Sequence, residues 1–363
     1  MVDACIYFTP RAFLKGRTAL DAIAQGMAWP LNIGGSSFAF PIIEISNVKN
    51  RAVQSVIVSR SSFEQKCDYV EEHFRSQLVS QLALFERPNP TFAGFEFSQP
   101  IIMGIVNVTP DSFSDGGQYN NTEAAISHGL KLSESGASII DVGGESTRPG
   151  ATPVKSEIEI ARVVPVIQGL ATRGICVSID TRHAPVMAAA IDAGATIVND
   201  VTALTGDTNS LRIVSDAGVP VILMHMQGQP QTMQEKPKYA WAPGDVFNFL
   251  ESRVAACVDA GVSEQNIAVD PGVGFGKSLP HNVDIMDYLS LFHGLGCTIV
   301  FGASRKSFIA KLSNGEAADN RLPGSLAAAL YAAAQGAQIL RVHDVAETCQ
   351  ALKIVQRLAA IDD

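Results

Sequence analysis

The stretch IIMGIVNV, residues 101–108, is a short apolar run rich in isoleucine and valine. Seven more runs of this kind follow it: 138–142, 176–180, 196–200, 219–226, 267–270, 297–302 and 337–342. Helix-like patterns lie between or after them, at 122–136, 156–173, 183–193, 244–260, 323–336 and 345–360. Continuous apolar runs are typical of parallel strands that helices cover on both faces. Eight strand–helix units predict an α/β protein with a (β/α)8 barrel, and an open doubly wound sheet is the structural alternative.

The first 95 residues lack this alternation. Strand-like CIYF (5–8), FAFPIIEI (38–45) and VQSVIV (53–58) accompany helix-like patterns at 17–26 and 62–86. The turn-rich stretch ERPNPTFAG (86–94) reads as a linker. We therefore expect a small N-terminal α+β extension over 1–95, followed by a catalytic barrel over 96–363.

Composition narrows the possible partners. The chain has 363 residues and a formal net charge of -9, so as a whole it repels nucleic acid and anionic membranes. Its apolar stretches fall short of the roughly 18 residues that a membrane span needs, and MVDACIYFTPRAFLK does not resemble a signal peptide. The six cysteines form no CxxC pair, and Cys176 and Cys297 lie inside strand-like runs. Buried free thiols and a cytoplasmic location are expected.

Polar or charged residues end almost every predicted strand. In a barrel of this kind the carboxyl ends of the strands surround the active site. A single such residue could simply cap the following helix, but the repetition predicts a shared polar pocket. The residues concerned are Asn107, Asp141, Asp180, Asn199, Asp200, His225, Asp270, Ser304, Arg305, Lys306, Arg341 and His343.

These residues fall into two chemical groups. Asp141, Asp180, Asn199 and Asp270 offer carboxylates and an amide, which suit a heteroaromatic ring that carries N–H and amino donors. A metal cage is the competing interpretation, although these groups come from separate strands and lack histidine partners. The second group is basic, and on an acidic chain it indicates an anionic substrate. Its members are Arg148, Arg305, Lys306, Arg341 and His343.

Three loops are unusually polar and rich in glycine, and they are suited to covering a ligand: 107–117, 143–153 and 302–308. A fourth stretch, DPGVGFGKS (270–278), looks like a nucleotide-binding P-loop. That motif needs glycine five residues before its Gly-Lys pair, where Pro271 stands. The glycines would instead let the backbone approach a flat ligand on which Phe275 could stack.

The motifs in order resemble those of the dihydropteroate synthases, over residues 100–362. The matching stretches are MGIVNVTPDSFSDGG (103–117), DVGGESTRPGA (141–151), SIDT (178–181), VND (198–200), MHMQG (224–228), DPGVGFGK (270–277), GASRKSF (302–308) and RVHDV (341–345). The resemblance implies a TIM barrel and magnesium. It also implies condensation of 6-hydroxymethyl-7,8-dihydropterin pyrophosphate with p-aminobenzoate, in folate biosynthesis. Competitive inhibition by sulfonamides would follow.

The resemblance also implies roles for individual residues. Asp180, Asn199, Asp270 and Lys306 would bind the pterin, and Asp180, Lys306, Arg341 and His343 would be catalytic. Asn107, Arg148, Arg341 and His343 would bind pyrophosphate, with Asn107 also at the magnesium. Thr147, Phe275, Ser304 and Lys306 would surround p-aminobenzoate, with Asp141 and Arg305 in support.

Two other functions stay open on the sequence. A pterin-binding methyltransferase barrel also needs acids and an amide for the ring, but it has no use for the SRK and RVHD clusters. A catalytically inactive pterin-binding paralogue would commonly lose part of the basic group, which is complete here. From the resemblance we expect a homodimer through the last helices, and residues 1–95 would be a packing or dimer-supporting module.

Overall fold

A computed structural model describes residues 5–33, 37–67, 72–87, 91–109, 118–147 and 150–359. The N-terminal part, up to residue 87, contains two small antiparallel sheets and three helices. One sheet has the order β1-β5-β6 and the other β2-β4-β3. The elements are β1 Cys5–Arg11, β2 Leu14–Lys15, α1 Gly16–Ala24, β3 Trp29–Asn32, β4 Ser37–Phe40, β5 Ile42–Lys49, β6 Ala52–Ser59, α2 Arg60–Cys67 and α3 Glu72–Glu86.

Eight parallel strands form a closed barrel after this extension, in the order β10-β11-β12-β13-β14-β7-β8-β9. This confirms the predicted (β/α)8 barrel and excludes the open sheet. The strands are short and nearly all buried, because helices cover them outside and side chains fill the barrel inside. They are β7 Ile101–Asn107, β8 Ile139–Gly143, β9 Val177–Asp180, β10 Ile197–Asp200, β11 Val221–Met224, β12 Ile267–Asp270, β13 Thr298–Phe301 and β14 Ile339–Val342.

Helices follow the strands and form the outer layer of the barrel. The bounds are α4 Gln118–Glu134, α5 Ser156–Ala171, α6 Ala184–Asp192, α7 Ser210–Ala217, α8 Ala242–Asp259, α9 Leu279–Asp287, α10 Ser307–Leu312, α11 Leu322–Ala334 and α12 Val345–Ala359. A 3-10 helix, Leu289–Leu295, follows α9. No helix in the described parts of the chain is long and apolar enough to cross a membrane.

The amino-terminal end of the barrel is closed by aromatic side chains from the segment that joins it to the extension. Phe92 and Phe97 are 0% and 2% exposed and pack with the first residues of the strands, such as Met103 and Ile139. Burying a large aromatic side chain contributes about 1.5–3 kcal/mol. This plug leaves the opposite, carboxyl end of the strands for a site.

The extension packs on the barrel flank formed by α8, α9 and the 3-10 helix. The ring of Tyr7 meets that of Trp241 edge-on at a centroid distance of 5.2 Å, and its hydroxyl accepts a hydrogen bond of 2.8 Å from Asn248. Arg11 lies over the ring of Tyr288 and forms an ion pair of 3.1 Å with Asp287. The aromatic part of this contact is buried and its ion pair is partly exposed, so packing and charge both hold the extension on the barrel.

Candidate active site

The register of the strands brings several predicted residues to one level of the barrel mouth. Asp180 at the end of β9 is level with Gly143 of β8 and Asn199 of β10. Asn107 at the end of β7 is level with Gly143 as well. Asp270 ends β12, opposite Met224 of β11. Parallel strands in register therefore place these side chains around a common opening.

Arg341 joins the acidic and basic groups at the centre of this mouth. Its Nε donates to Asp141 Oδ2 and its Nη2 donates to Asp180 Oδ2, each at 2.6 Å. Asn199 Nδ2 also donates to Asp141 Oδ2, at 3.1 Å. Acids and bases were expected as two sets, and here they form one hydrogen-bonded cluster.

Two carboxylate oxygens in this cluster are buried without a hydrogen-bond partner among the described residues: Oδ1 of Asp141 and Oδ1 of Asp180. A buried acceptor without a hydrogen-bond donor costs about 1–3 kcal/mol. Such an acceptor is therefore expected where a bound ligand supplies the donor. Burial raises the pKa of Asp180 to about 7, and the Arg341 guanidinium only partly opposes that effect. Asp180 therefore holds its proton more tightly than an exposed aspartate does.

Lys306 stands on the other side of the mouth. Its Nζ donates to the carbonyl oxygen of Val273 and lies 4.6 Å from the centroid of the Phe275 ring. Burial lowers the pKa of Lys306 to about 8, while the Asp270 carboxylate opposes that shift. Asp270 Oδ1 accepts a 2.7 Å hydrogen bond from the Gly272 amide. A cation, an aromatic ring and a fixed carboxylate thus lie together.

Ser304 and His343 form a pair beside β14. The Ser304 hydroxyl oxygen accepts from the His343 amide at 3.2 Å and lies 3.1 Å from its ring Nδ1. Arg305 is held differently, since its Nε donates to Asp344 at 3.1 Å and its Nη1 to Asp319 at 3.3 Å. These acids neutralise Arg305, so its place is consistent with support of the loop rather than with anion binding.

The two remaining predicted positions, Thr147 and Arg148, lie on the second loop. Thr147 is half-buried near the end of the described part of the second loop. Arg148 and most of the first loop, 110–117, lie outside the described residues.

Two polar strand ends serve local structure. Asp200 accepts hydrogen bonds from the amides of Thr202 and Leu204, at 2.7 and 3.0 Å. His225 is buried against Lys277, with its Nδ1 2.9 Å from Nζ, and burial lowers its pKa to about 2. The sequence pattern therefore predicted a larger pocket than the structure has.

The second loop is anchored by residues that the sequence analysis missed. Glu145 near its start accepts from the Val154 amide near its end, at 3.1 Å, and from Arg182 Nε at 2.8 Å. His183 Nδ1 lies 2.8 Å from the fully buried Glu159, whose hydrogen bond raises the pKa of His183. Arg182 and His183 directly follow the SIDT motif, and that proximity was the available signal.

A dedicated metal cage is absent from the described ranges, where no three His, Cys, Asp or Glu side chains could hold an ion together. Magnesium commonly uses one or two protein oxygens together with substrate phosphates and water. The half-buried amide of Asn107 at the barrel mouth fits that kind of site.

Known proteins share the sequence and the fold of this chain. A family model described as pterin binding enzyme matches residues 103–343. The dihydropteroate synthase of Escherichia coli K12 is 45% identical over 262 residues, which span 72% of this chain and 92% of that enzyme. The chain belongs to the dihydropteroate synthase family.

Two solved structures of dihydropteroate synthases extend the comparison. The Xanthomonas albilineans enzyme with 4-aminobenzoic acid is 45% identical with a TM-score of 0.71, over 76% of this chain and 99% of that one. The Yersinia pestis enzyme in a sulfonamide drug complex is 44% identical with a TM-score of 0.69, over 74% and 98%. Residues 1–102 fall outside the match to the family model.

Proposed function

We propose that this chain condenses 6-hydroxymethyl-7,8-dihydropterin pyrophosphate with p-aminobenzoate, giving 7,8-dihydropteroate and pyrophosphate in folate biosynthesis. The observation that carries the proposal is the cluster at the barrel mouth. Arg341 there lies between Asp141 and Asp180, each of which keeps one buried carboxylate oxygen without a partner in the described structure. Membership of the dihydropteroate synthase family supports it.

The pterin would occupy the acidic side of the mouth. Its ring carries N–H and amino donors, which can meet the buried acceptors of Asp180 and Asp270. Asn199 is held in place by its hydrogen bond to Asp141. Its amide would form hydrogen bonds with a donor and an acceptor on the edge of the ring. Lys306, held at the carbonyl of Val273, would contact the same ring and border the second pocket.

Pyrophosphate would lie against Arg341, His343 and Asn107, with Arg148 joining them by the resemblance alone. Arg341 donates through Nε to Asp141 and through Nη2 to Asp180, and no described residue accepts a hydrogen bond from its Nη1. That nitrogen is the donor we assign to the leaving group. Magnesium held at the amide oxygen of Asn107 would neutralise charge on the pyrophosphate.

The reaction would be dissociative. Arg341 and His343 stabilise the negative charge that develops as pyrophosphate departs. Asp180, as a carboxylate, stabilises the positive charge left on the pterin methylene group. The arylamine of p-aminobenzoate then attacks from the pocket of Thr147, Phe275 and Ser304. Once the C–N bond has formed, the arylammonium nitrogen is acidic enough to give its proton to water, so no strong general base is required.

The test is release of pyrophosphate from purified protein supplied with the pterin pyrophosphate, with and without p-aminobenzoate. We expect sustained release only in the presence of p-aminobenzoate, with one equivalent of 7,8-dihydropteroate formed per pyrophosphate by mass spectrometry. A methyltransferase-type barrel or an inactive paralogue would release none, and either result would reject the proposal. Arg341→Met is the matched variant that should lose release.

The protein would be a homodimer through α11 and α12. Ile354 and Leu358 of α12 are 60% and 63% exposed, and Tyr331 of α11 is 46% exposed. Large exposed apolar side chains on neighbouring helices are typical of an interface. Light scattering should give twice the mass of one chain, and Ile354→Asp should give the mass of one chain.

The extension would serve as a packing module for the barrel, with the division of the chain near residue 95. Tyr7, Arg11 and their partners on α8 and α9 support this role. We place the enzyme in the cytoplasm, because Cys257 and Cys297 are free and buried.

A further inference from the structure

Lys277 is a buried lysine that the proposed mechanism does not use. It follows the loop after β12 and is 2% exposed. Lysine is almost never fully buried unless its amine is paired. Burial lowers the pKa of Lys277 well below its ordinary value, and the Asp270 carboxylate opposes that shift. A lysine that is buried at this cost in free energy is expected to have a structural or functional role.

The amine of Lys277 gathers three backbone carbonyls. Its Nζ donates to the carbonyl oxygens of His225, Gly272 and Phe275, at 3.1, 2.8 and 3.0 Å. The ring Nδ1 of His225 also lies 2.9 Å from this nitrogen, so the amine has four polar neighbours and every N–H that it carries has an acceptor. One carbonyl comes from the loop after β11 and two come from the loop after β12. Lys277 therefore ties the two loops together.

Two glycines allow the two loops to approach the lysine amine this closely. Gly272 and Gly276 have φ values of 69° and 59°, in the left-handed region that glycine adopts readily. A Cβ at Gly272 would collide with the carbonyl oxygen of His225, and one at Gly276 would collide with that of Gln227. The two loops thus approach backbone to backbone, with the lysine amine between them.

We propose that Lys277 is a positioning residue for the arylamine half of the site. By binding the carbonyls on either side of Val273, it fixes the Phe275 ring and the Val273 carbonyl that holds Lys306. The inference rests on the proposed function, in which Phe275 and Lys306 border p-aminobenzoate.

The pterin half shares Lys306 and the Gly272 amide that binds Asp270 with this loop, but its other groups lie on the barrel strands. Asp270 belongs to β12 and is paired with β11 by the barrel itself. Asp180 and Asn199 lie on β9 and β10, and Arg341 and Asp141 are hydrogen-bonded to each other. Loss of the lysine should therefore disturb one substrate more than the other.

Lys277→Met tests this by replacing the amine with an apolar side chain of similar length. We expect the KM for p-aminobenzoate to rise about tenfold, as for loss of a residue that orients a binding group. The KM for the pterin pyrophosphate should change by less than about threefold. A merely structural role would lower the fraction of active enzyme and kcat while leaving both KM values unchanged, and that result would overturn the proposal.

Two controls accompany the variant. Lys311→Met makes the same substitution at an exposed lysine of α10 and should leave both KM values unchanged. Ile167→Ala removes a fully buried side chain on α5 and should lower the Tm without changing the KM for p-aminobenzoate. Equal rises of both KM values in Lys277→Met would also overturn the proposal.

Tyr239→Phe covers the case in which Lys277→Met does not fold. The Tyr239 hydroxyl donates a 2.8 Å hydrogen bond to the carbonyl of Gly276, in the same loop. Its loss should raise the KM for p-aminobenzoate about threefold, and an unchanged value would count against the proposal. Wild-type protein that forms no dihydropteroate would reject the proposed function itself, whereas wild-type turnover with unchanged KM values in the variants would reject only the role of Lys277.

Discussion

Asp180→Asn should make the ligand-free protein more stable and the enzyme nearly inactive. The substitution keeps the shape of the side chain and an oxygen that can accept from Arg341 Nη2. It removes the charge that burial disfavours. In the proposed reaction the same charge stabilises the electron-deficient pterin, so we expect kcat to fall about 100-fold or more.

The size of the stability gain follows from the pKa of Asp180. Burial raises that pKa from 3.8 to about 7. A folded-state pKa above the unfolded value means that the folded protein holds the proton more tightly, so stability is lost as pH rises from about 4 to about 7. One pKa unit corresponds to about 1.4 kcal/mol, so the ionised group costs at most about 4 kcal/mol at pH 8 and about 2 kcal/mol at pH 5.

Urea denaturation of both proteins without substrates, at pH 5 and pH 8, measures this difference. The free energy of unfolding of Asp180→Asn should exceed that of wild type, and by more at pH 8 than at pH 5. Asp192→Asn, at an exposed aspartate, is the matched control and should show no pH-dependent gain. A variant less stable than wild type at pH 8, or a difference that does not change with pH, would refute the reasoning about burial.

Three other predictions concern the site and the extension. Arg341→Lys should lower kcat and raise the KM for the pterin pyrophosphate, each about tenfold or more, because one ammonium cannot match the fork that holds Asp141 and Asp180; steady-state kinetics measures both. Tyr7→Ala should lower the free energy of unfolding by about 3 kcal/mol in a urea titration, since it empties the contact with Trp241, and should leave both KM values unchanged. A sulfonamide should inhibit competitively, so that its apparent inhibition constant rises in proportion to p-aminobenzoate; an inhibition curve that ignores p-aminobenzoate would contradict this.

Periodicity in the sequence was sufficient to predict the barrel. Its strands are buried on both faces, so each is a continuous apolar run, and each observed strand lies within two residues of the predicted limits. The helices α7, α9 and α10 were not predicted. They have eight, nine and six residues, no more than α6, the shortest barrel helix that was predicted, so their apolar period has little length in which to be recognised. Their formation depends on packing against the barrel.

The sequence predicted which residues lie at the barrel mouth, but not which of them are hydrogen-bonded to each other. Strand ends identified Asp141, Asp180 and Arg341, but a sequence pattern carries no information on which side chain reaches which. Arg341 is 200 residues from Asp141 along the chain, and only closure of the barrel brings β14 next to β7 and within one strand of β8. The same limit explains Lys277, which in the sequence is one residue of a glycine-rich stretch and in the structure ties two loops.

The charges around Asp180 disfavour its ionised form. Asp141, Glu159 and Asp200 all raise the pKa of Asp180, and together with burial they outweigh the lowering by Arg341. A pterin that donates hydrogen bonds to Asp180 would favour its charged form and lower that pKa. Pterin binding and ionisation of Asp180 would then be linked, so that each favours the other. In the proposed mechanism a buried acid that weakens the fold is retained because hydrogen bonds from the pterin offset the cost of its charge.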